Sequence, residues 1–167
     1  KNVKVEYRNI YNIPYKNKFD LVMSLGVIHH LENPNLAIRN LTRALKKNGT
    51  LLITVYGYEG NEWIVKYINP IRKYVTSKLP PAITNLMSYK FSIPLYFYVK
   101  LFKQKSPYMK LLKTFKFRQI HSIVFDQLLP KISNYWTKEE AKSLLNGLRN
   151  IKIYHINKNS WTIIGRK

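Results

Sequence analysis

Three features of this 167-residue sequence predict an α/β fold. Residues 19–25, FDLVMSL, form an apolar run that opens at Ser24 and Gly26 into a small-residue loop, as a buried parallel strand does at its carboxyl end. Residues 46–56, KKNGTLLITVY, place a glycine before an apolar, β-branched stretch and read as the next strand. A helical pattern lies between them, so the order is strand, loop, helix, strand. Open sheets of this kind take ligands at the carboxyl ends of their strands, here the loop after Leu25.

Along the chain, Val3, Val5 and Tyr7 alternate with polar residues and predict a short first strand, ended by a turn at Ile13-Pro14. Asn33-Pro34 starts the helix, with a side-chain oxygen at the cap and a proline whose missing N–H costs nothing at the first position. Ala37, Leu41, Ala44 and Leu45 recur at helical spacing as its buried face, and Gly49 is expected to cap its end. The middle reads as helical: Asn61 and Asn69-Pro70 as helix starts, an apolar rhythm from Ile64 to Val75, and Pro80-Pro81 and Pro94 as punctuation. Residues 83–102 are apolar and aromatic, but Lys90, Pro94 and Lys100 interrupt them, and a membrane span needs ~20 nearly uninterrupted apolar residues. A lid packed on the core, or a cationic surface helix that touches lipid, fits better. Thr137-Lys138-Glu139-Glu140 is a capping box, followed by Ala141, Leu144, Leu145 and Leu148 on one helix face. Residues 151–156 and 160–165 flank Asn157-Lys158-Asn159 as a β-hairpin.

Composition narrows the function classes. With 46% hydrophobic and 14% aromatic residues, the chain is globular, and one domain over 1–167 is expected. The chain has no cysteine, so it builds no disulfide, thiolate zinc cluster or thiol nucleophile. The net charge of +21 is uneven: residues 61–120 hold 12 basic residues and 1 acidic residue. Such a segment can dock on nucleic acid or an anionic membrane. The same charge also follows from a composition rich in Lys, Asn, Ile and Tyr, since the lysines are scattered rather than clustered.

Three pieces in order carry a family resemblance: Asn9-Ile10-Tyr11-Asn12-Ile13-Pro14-Tyr15, FDLVMSLGVIHH over 19–30, and residues 46–53. The chain resembles the second half of a class I S-adenosylmethionine-dependent methyltransferase, of the group that includes the ubiquinone and menaquinone biosynthesis enzymes. The resemblance covers residues 1–56 firmly and 121–167 less closely. It implies the C-terminal part of a Rossmann-like sheet of about five strands, the last two an antiparallel hairpin, with a helical insertion over 57–120 that forms a lid or acceptor site. The family's Gly-rich first motif and its ribose-binding acid are absent from the 167 residues. The domain is therefore expected to be N-terminally incomplete, and inactive by itself.

The resemblance also implies a cofactor, S-adenosyl-L-methionine, and cofactor-binding residues Asn9, Ile10, Ser24, Leu25, Gly26 and His29. Asn9 and Ile10 match the positions that receive the adenine, although spacing alone makes Asn9 a turn residue at a strand end. Ser24 and Gly26 match the wall beside the methionine part, where small residues permit close approach; they also suit tight packing of strand on helix. His29-His30 with Glu32 suggests a metal, but adjacent side chains diverge and no H-x-x-x-H spacing exists, so no metal site is expected. His30 and His121 are the candidate catalytic bases. His30 also suits a structural role in its loop. His121, Asp126 and Tyr135 lie in a segment that could fold over the pocket with His121 and Asp126 as an oriented base, or that is an ordinary polar loop.

Methyl transfer from a sulfonium has a good neutral leaving group, so the protein's main contribution is holding acceptor and methyl group in line. The expected function is S-adenosylmethionine-dependent methylation of a small-molecule or lipid-like acceptor. Peripheral membrane contact through 61–118 and a cytoplasmic location accompany it. The alternative is a cationic module that binds nucleic acid or a membrane surface without catalysis. It lacks the RNP, helix-turn-helix and zinc-finger signatures that would support nucleic-acid binding. The sequence assigns no oligomeric state.

Overall fold

The computed structural model describes residues 2–105 and 107–167. In chain order the elements are β1 (Phe19–Leu25), α1 (Pro34–Ala44), β2 (Leu45–Tyr56), α2 (Asn69–Tyr74), α3 (Pro81–Leu101), α4 (Pro107–Thr114), α5 (Phe117–Leu128), α6 (Lys138–Ser143), β3 (Arg149–Ile156) and β4 (Ser160–Arg166). They divide into two compact units, one of residues 1–65 with 132–167 and the other of residues 66–131.

The first unit is a four-stranded sheet in the order β1-β2-β4-β3. β1 and β2 run parallel, which the α1 crossover permits, and β4 is antiparallel to both β2 and β3. The hairpin turns on Asn157 and Lys158, both at positive φ (51° and 58°), a tight turn whose twist suits antiparallel strands. One sheet face is covered. Leu51, Ile53 and Val55 of β2 and Trp161 and Ile163 of β4 are buried with Ala37, Ile38 and Leu41 of α1 and Ala141 of α6. On the other face Leu21, Met23 and Leu25 of β1 are exposed.

Caps set the helix starts as expected. Asn33 Oδ1 accepts from the Leu36 N–H (3.0 Å) with Pro34 inside the first turn, and the Thr137 N–H donates to Glu140 Oε2 (2.8 Å). Three sequence expectations need correction.

Residues 3–7 form no strand. Val3, Val5 and Tyr7 are all exposed and make no ladder with any described strand, and alternation without a partner leaves the backbone groups to water. Among the described residues the sheet therefore has four strands rather than about five. Gly49 is no helix cap either: α1 ends at Ala44 and β2 begins at Leu45. Gly49 lies within β2, where a Cβ would meet Lys46 O at 3.0 Å, Leu45 Cδ2 at 3.1 Å and Phe19 O at 3.1 Å. The pairing register shifts there, from Phe19↔Leu45 to Leu21↔Thr50, so the glycine lets the two strands close over an irregularity.

The two asparagines of the middle differ. Asn61 does start a helix: helical turns begin at Glu62 and Asn61 O accepts from the Val65 N–H (2.9 Å), while its Nδ2 donates to the carbonyls of Gly57 (2.8 Å) and Asn159 (2.7 Å). Asn69 is itself the first residue of α2, whose N-cap is Ile68 with no side-chain bond.

The second unit is helical, as expected of the middle segment. α3 packs along α5, with Val99, Leu112 and Ile120 at the centre of its apolar cluster. Arg72 is buried and donates from Nε to Gln127 O (2.8 Å).

Candidate active site

β1 and β2 end side by side, Leu25 paired with Thr54, and the loop of residues 26–33 leaves from this edge toward α1. Gly26 turns it at φ +72°, a conformation that favours glycine, and nothing lies within 4 Å of where its Cβ would be. Chain direction changes here beside open space. Ser24, one step back, is buried, and its Oγ has no hydrogen-bond partner among the described residues. Leu25, pointing to the other face, is exposed.

A short 3-10 turn over Ile28–His30 follows. His29 is 2% exposed and stacks face to face on Tyr56 at the end of β2, ring centroids 3.6 Å apart. Tyr135 also stacks on Tyr56, ring centroids 5.5 Å apart, so residue 135 reaches this edge. The Nδ1 of His29 is buried without a partner among the described residues. Burial, and secondarily the adjacent His30, push its pKa down to about 3, so the ring is neutral near pH 7.

His30 is held differently. Its Nδ1 lies 2.8 Å from Ile132 O. A carbonyl only accepts, so Nδ1 carries the proton and Nε2 keeps the lone pair. Asn134 fixes the same turn, its backbone N–H donating to His29 O (2.8 Å) and its Nδ2 to Leu31 O (3.0 Å).

Asn9 caps the turn over Ile10–Asn12, with Oδ1 accepting from the Tyr11 N–H (2.9 Å). The local role expected from spacing is thus present, and one lone pair of the amide oxygen is used in it. Ile10 packs against the core. Asn40, buried on the inner face of α1, donates from Nδ2 to Ile10 O (3.1 Å) and Tyr11 O (2.8 Å). The Tyr11 hydroxyl in turn accepts from the Asn33 N–H (3.1 Å), at the exit of the 26–33 loop. Residues 10–11 and the loop after β1 are therefore both tied to α1, the first through Asn40 and the second through its N-cap Asn33.

His121 belongs to the helical unit. Its Nε2 donates to Asn85 Oδ1 (2.8 Å), so its Nδ1 accepts from Ser92 Oγ (2.9 Å), and the ring stacks on Tyr89 at 4.0 Å. Asn85, rather than Asp126, orients the ring, and a base role requires one of these bonds to open. Asn40, Asn134 and Tyr56 were missed in the sequence. Only Asn40 left a signal there: a polar residue one turn from both Ala37 and Ala44 on the apolar helix face.

A parallel strand pair with its crossover helix, an antiparallel closing hairpin and an open carboxyl edge lined by small residues define the class. The chain belongs to the class I S-adenosylmethionine-dependent methyltransferases: the profile of the methyltransferase-domain family matches residues 1–120. Among curated proteins, a tRNA U34 carboxymethyltransferase of Aliarcobacter butzleri is 34% identical over 76 residues, covering 46% of this chain and 22% of that protein. The mitochondrial ubiquinone biosynthesis O-methyltransferase of Dictyostelium discoideum is 34% identical over 74 residues, covering 43% of this chain and 22% of its own length. A solved S-adenosylmethionine-dependent methyltransferase of Thermotoga maritima superposes with a TM-score of 0.57 at 15% identity, covering 99% of this chain and 64% of that one. The fold is shared with it.

Proposed function

We propose that the protein carrying these residues transfers a methyl group from S-adenosylmethionine to a small-molecule or lipid-like acceptor, and that residues 9–10 and 24–30 form one wall of the cofactor and acceptor site. The observation that carries the reading is the pair of buried polar atoms without a partner among the described residues, Ser24 Oγ and His29 Nδ1, two residues before and three after Gly26, where a Cβ would meet open space. Buried polar groups are as a rule hydrogen-bonded, and an exception at the carboxyl edge of a parallel sheet marks a place where a polar ligand completes the structure. Such a ligand fits the amino-acid end of S-adenosylmethionine, which brings both donors and acceptors.

When bound, the cofactor supplies a methyl group on a sulfonium. The chain's own residues do the rest. Ser24 Oγ would bond the methionine part, and Gly26 allows its close approach. Ile10 would cover the adenine, with Asn9 accepting from its amine on the remaining lone pair. The His29, Tyr56 and Tyr135 stack provides a flat apolar wall that keeps water from the acceptor. His30, with its proton fixed on Nδ1 by Ile132 O, presents Nε2 as the base for an acceptor hydroxyl. The Gly-rich loop and ribose acid of the class are not among these 167 residues, so the chain by itself would hold the cofactor weakly and turn over slowly.

The two curated relatives differ by name, one a tRNA U34 carboxymethyltransferase and the other an O-methyltransferase of ubiquinone biosynthesis. The exposed apolar residues of the helical unit favour the lipid-like class over the nucleic acid. Cells producing the protein that carries these residues, fed methyl-labelled methionine, should accumulate label in the organic-solvent extract. Excess label in tRNA instead would overturn the acceptor class.

A further inference from the structure

Helix α3 buries polar residues beside the apolar Val99. Its buried side carries Thr84, Ser88 and Ser92, and Ser88 and Ser92 gather with Asn85 around His121. The outward side carries Ile83, Leu86, Ile93, Phe97 and Leu101, spaced by three, four or seven residues and so aligned on one face. All five are exposed, Leu86 at 70%, Phe97 at 55% and Leu101 at 74%. A surface helix ordinarily turns such a stripe inward, and contiguous exposed apolar surface of this kind marks an interaction site. The stripe runs most of the 21-residue helix, about 30 Å.

The charge around the stripe identifies its partner. Residues 66–131 contain thirteen Lys and Arg and a single acidic residue, Asp126. Lys90 lies within the stripe's own row, and Lys103 and Lys105 follow its end, all three exposed. We propose that the outward face of α3 is a docking surface for an anionic lipid bilayer, lying in the plane of the interface with its aliphatic side chains among the acyl chains and its lysines at the headgroups.

Only this partner uses both halves of the surface. Nucleic acid satisfies the lysines but gives Leu86, Ile93 and Leu101 nothing to bury against. A second copy buries the stripe but brings two strongly cationic units together. No helix of the described residues is long and apolar enough to cross a membrane, so α3 lies on the bilayer rather than through it. The proposal rests on residues of the helical unit alone, and cofactor binding at residues 19–30 is tested by a different measurement.

The test is flotation of the 167-residue chain with phosphatidylcholine vesicles, with and without phosphatidylglycerol. The chain should float with the anionic vesicles only, less so as salt rises, and Leu86→Glu with Leu101→Glu should reduce binding at least tenfold with the circular dichroism unchanged. Because the chain has no cysteine, Leu86→Cys and Lys152→Cys each accept a single environment-sensitive dye. The dye at 86 should report transfer to an apolar medium on vesicle addition, and the dye at 152 should not. That second measurement holds even if the double glutamate variant fails to fold. Absence of flotation, flotation unaffected by the folded double variant, or a dye at 86 that stays in water would each overturn the proposal. Binding of duplex RNA in place of vesicles would do the same.

Discussion

His29 illustrates what a single residue costs and contributes. Its ring is neutral in the folded protein down to about pH 3, whereas an unfolded histidine binds a proton near 6.5. Between those values the unfolded state holds the extra proton, so stability is complete above about pH 6.5 and falls as pH drops toward 3. Thermal melts from pH 7 to pH 4 should show a decline that His29→Phe flattens, since phenylalanine keeps the stack on Tyr56 and removes the titration. A variant whose profile matches the parent would contradict the buried, neutral ring. The strand end at Ser24 to Gly26 was legible in the sequence, because small residues interrupting an apolar run signal it directly. The burial of His29 was not. Its stacking partners Tyr56 and Tyr135 and the bonds from Asn134 come from positions far along the chain, and only the folded sheet edge brings them together.

At the level of elements, caps and turns were legible and pairing was less so. Asn33-Pro34, the Thr137 capping box and the Asn157-Lys158 turn act locally, through bonds or dihedral angles within a few residues, and the sequence states them. Residues 3–7 have strand alternation, yet a strand exists only with a neighbour. The glycine at 49 misled for a related reason. A glycine after a helix usually marks its cap, but here the demand is steric and comes partly from Phe19 O on the neighbouring strand. Gly49→Ala should therefore destabilise the β1–β2 pair by about 1 to 3 kcal/mol, the usual cost of overpacking a tight site. Denaturant titration would measure it; an unchanged midpoint would mean that the register irregularity between Phe19 and Leu21 is soft.

At the scale of the whole molecule, chemistry and charge are divided between the two units. The sheet unit holds the strand edge, the orphaned Ser24 and His29 atoms and the oriented His30. The helical unit holds His121, satisfied by Asn85 and Ser92, together with the larger share of the net positive charge and the outward apolar stripe of α3. The central claim is that the edge of the sheet after β1 receives S-adenosylmethionine. It is tested most directly by following backbone amide resonances of the 167-residue chain during titration with S-adenosylhomocysteine, which detects weak binding residue by residue. The account predicts that Asn9, Ile10, Ser24, Leu25, Gly26 and His29 shift together along one saturating curve while the amides of β4 stay in place. Shifts confined to other residues, or none at millimolar ligand, would contradict it.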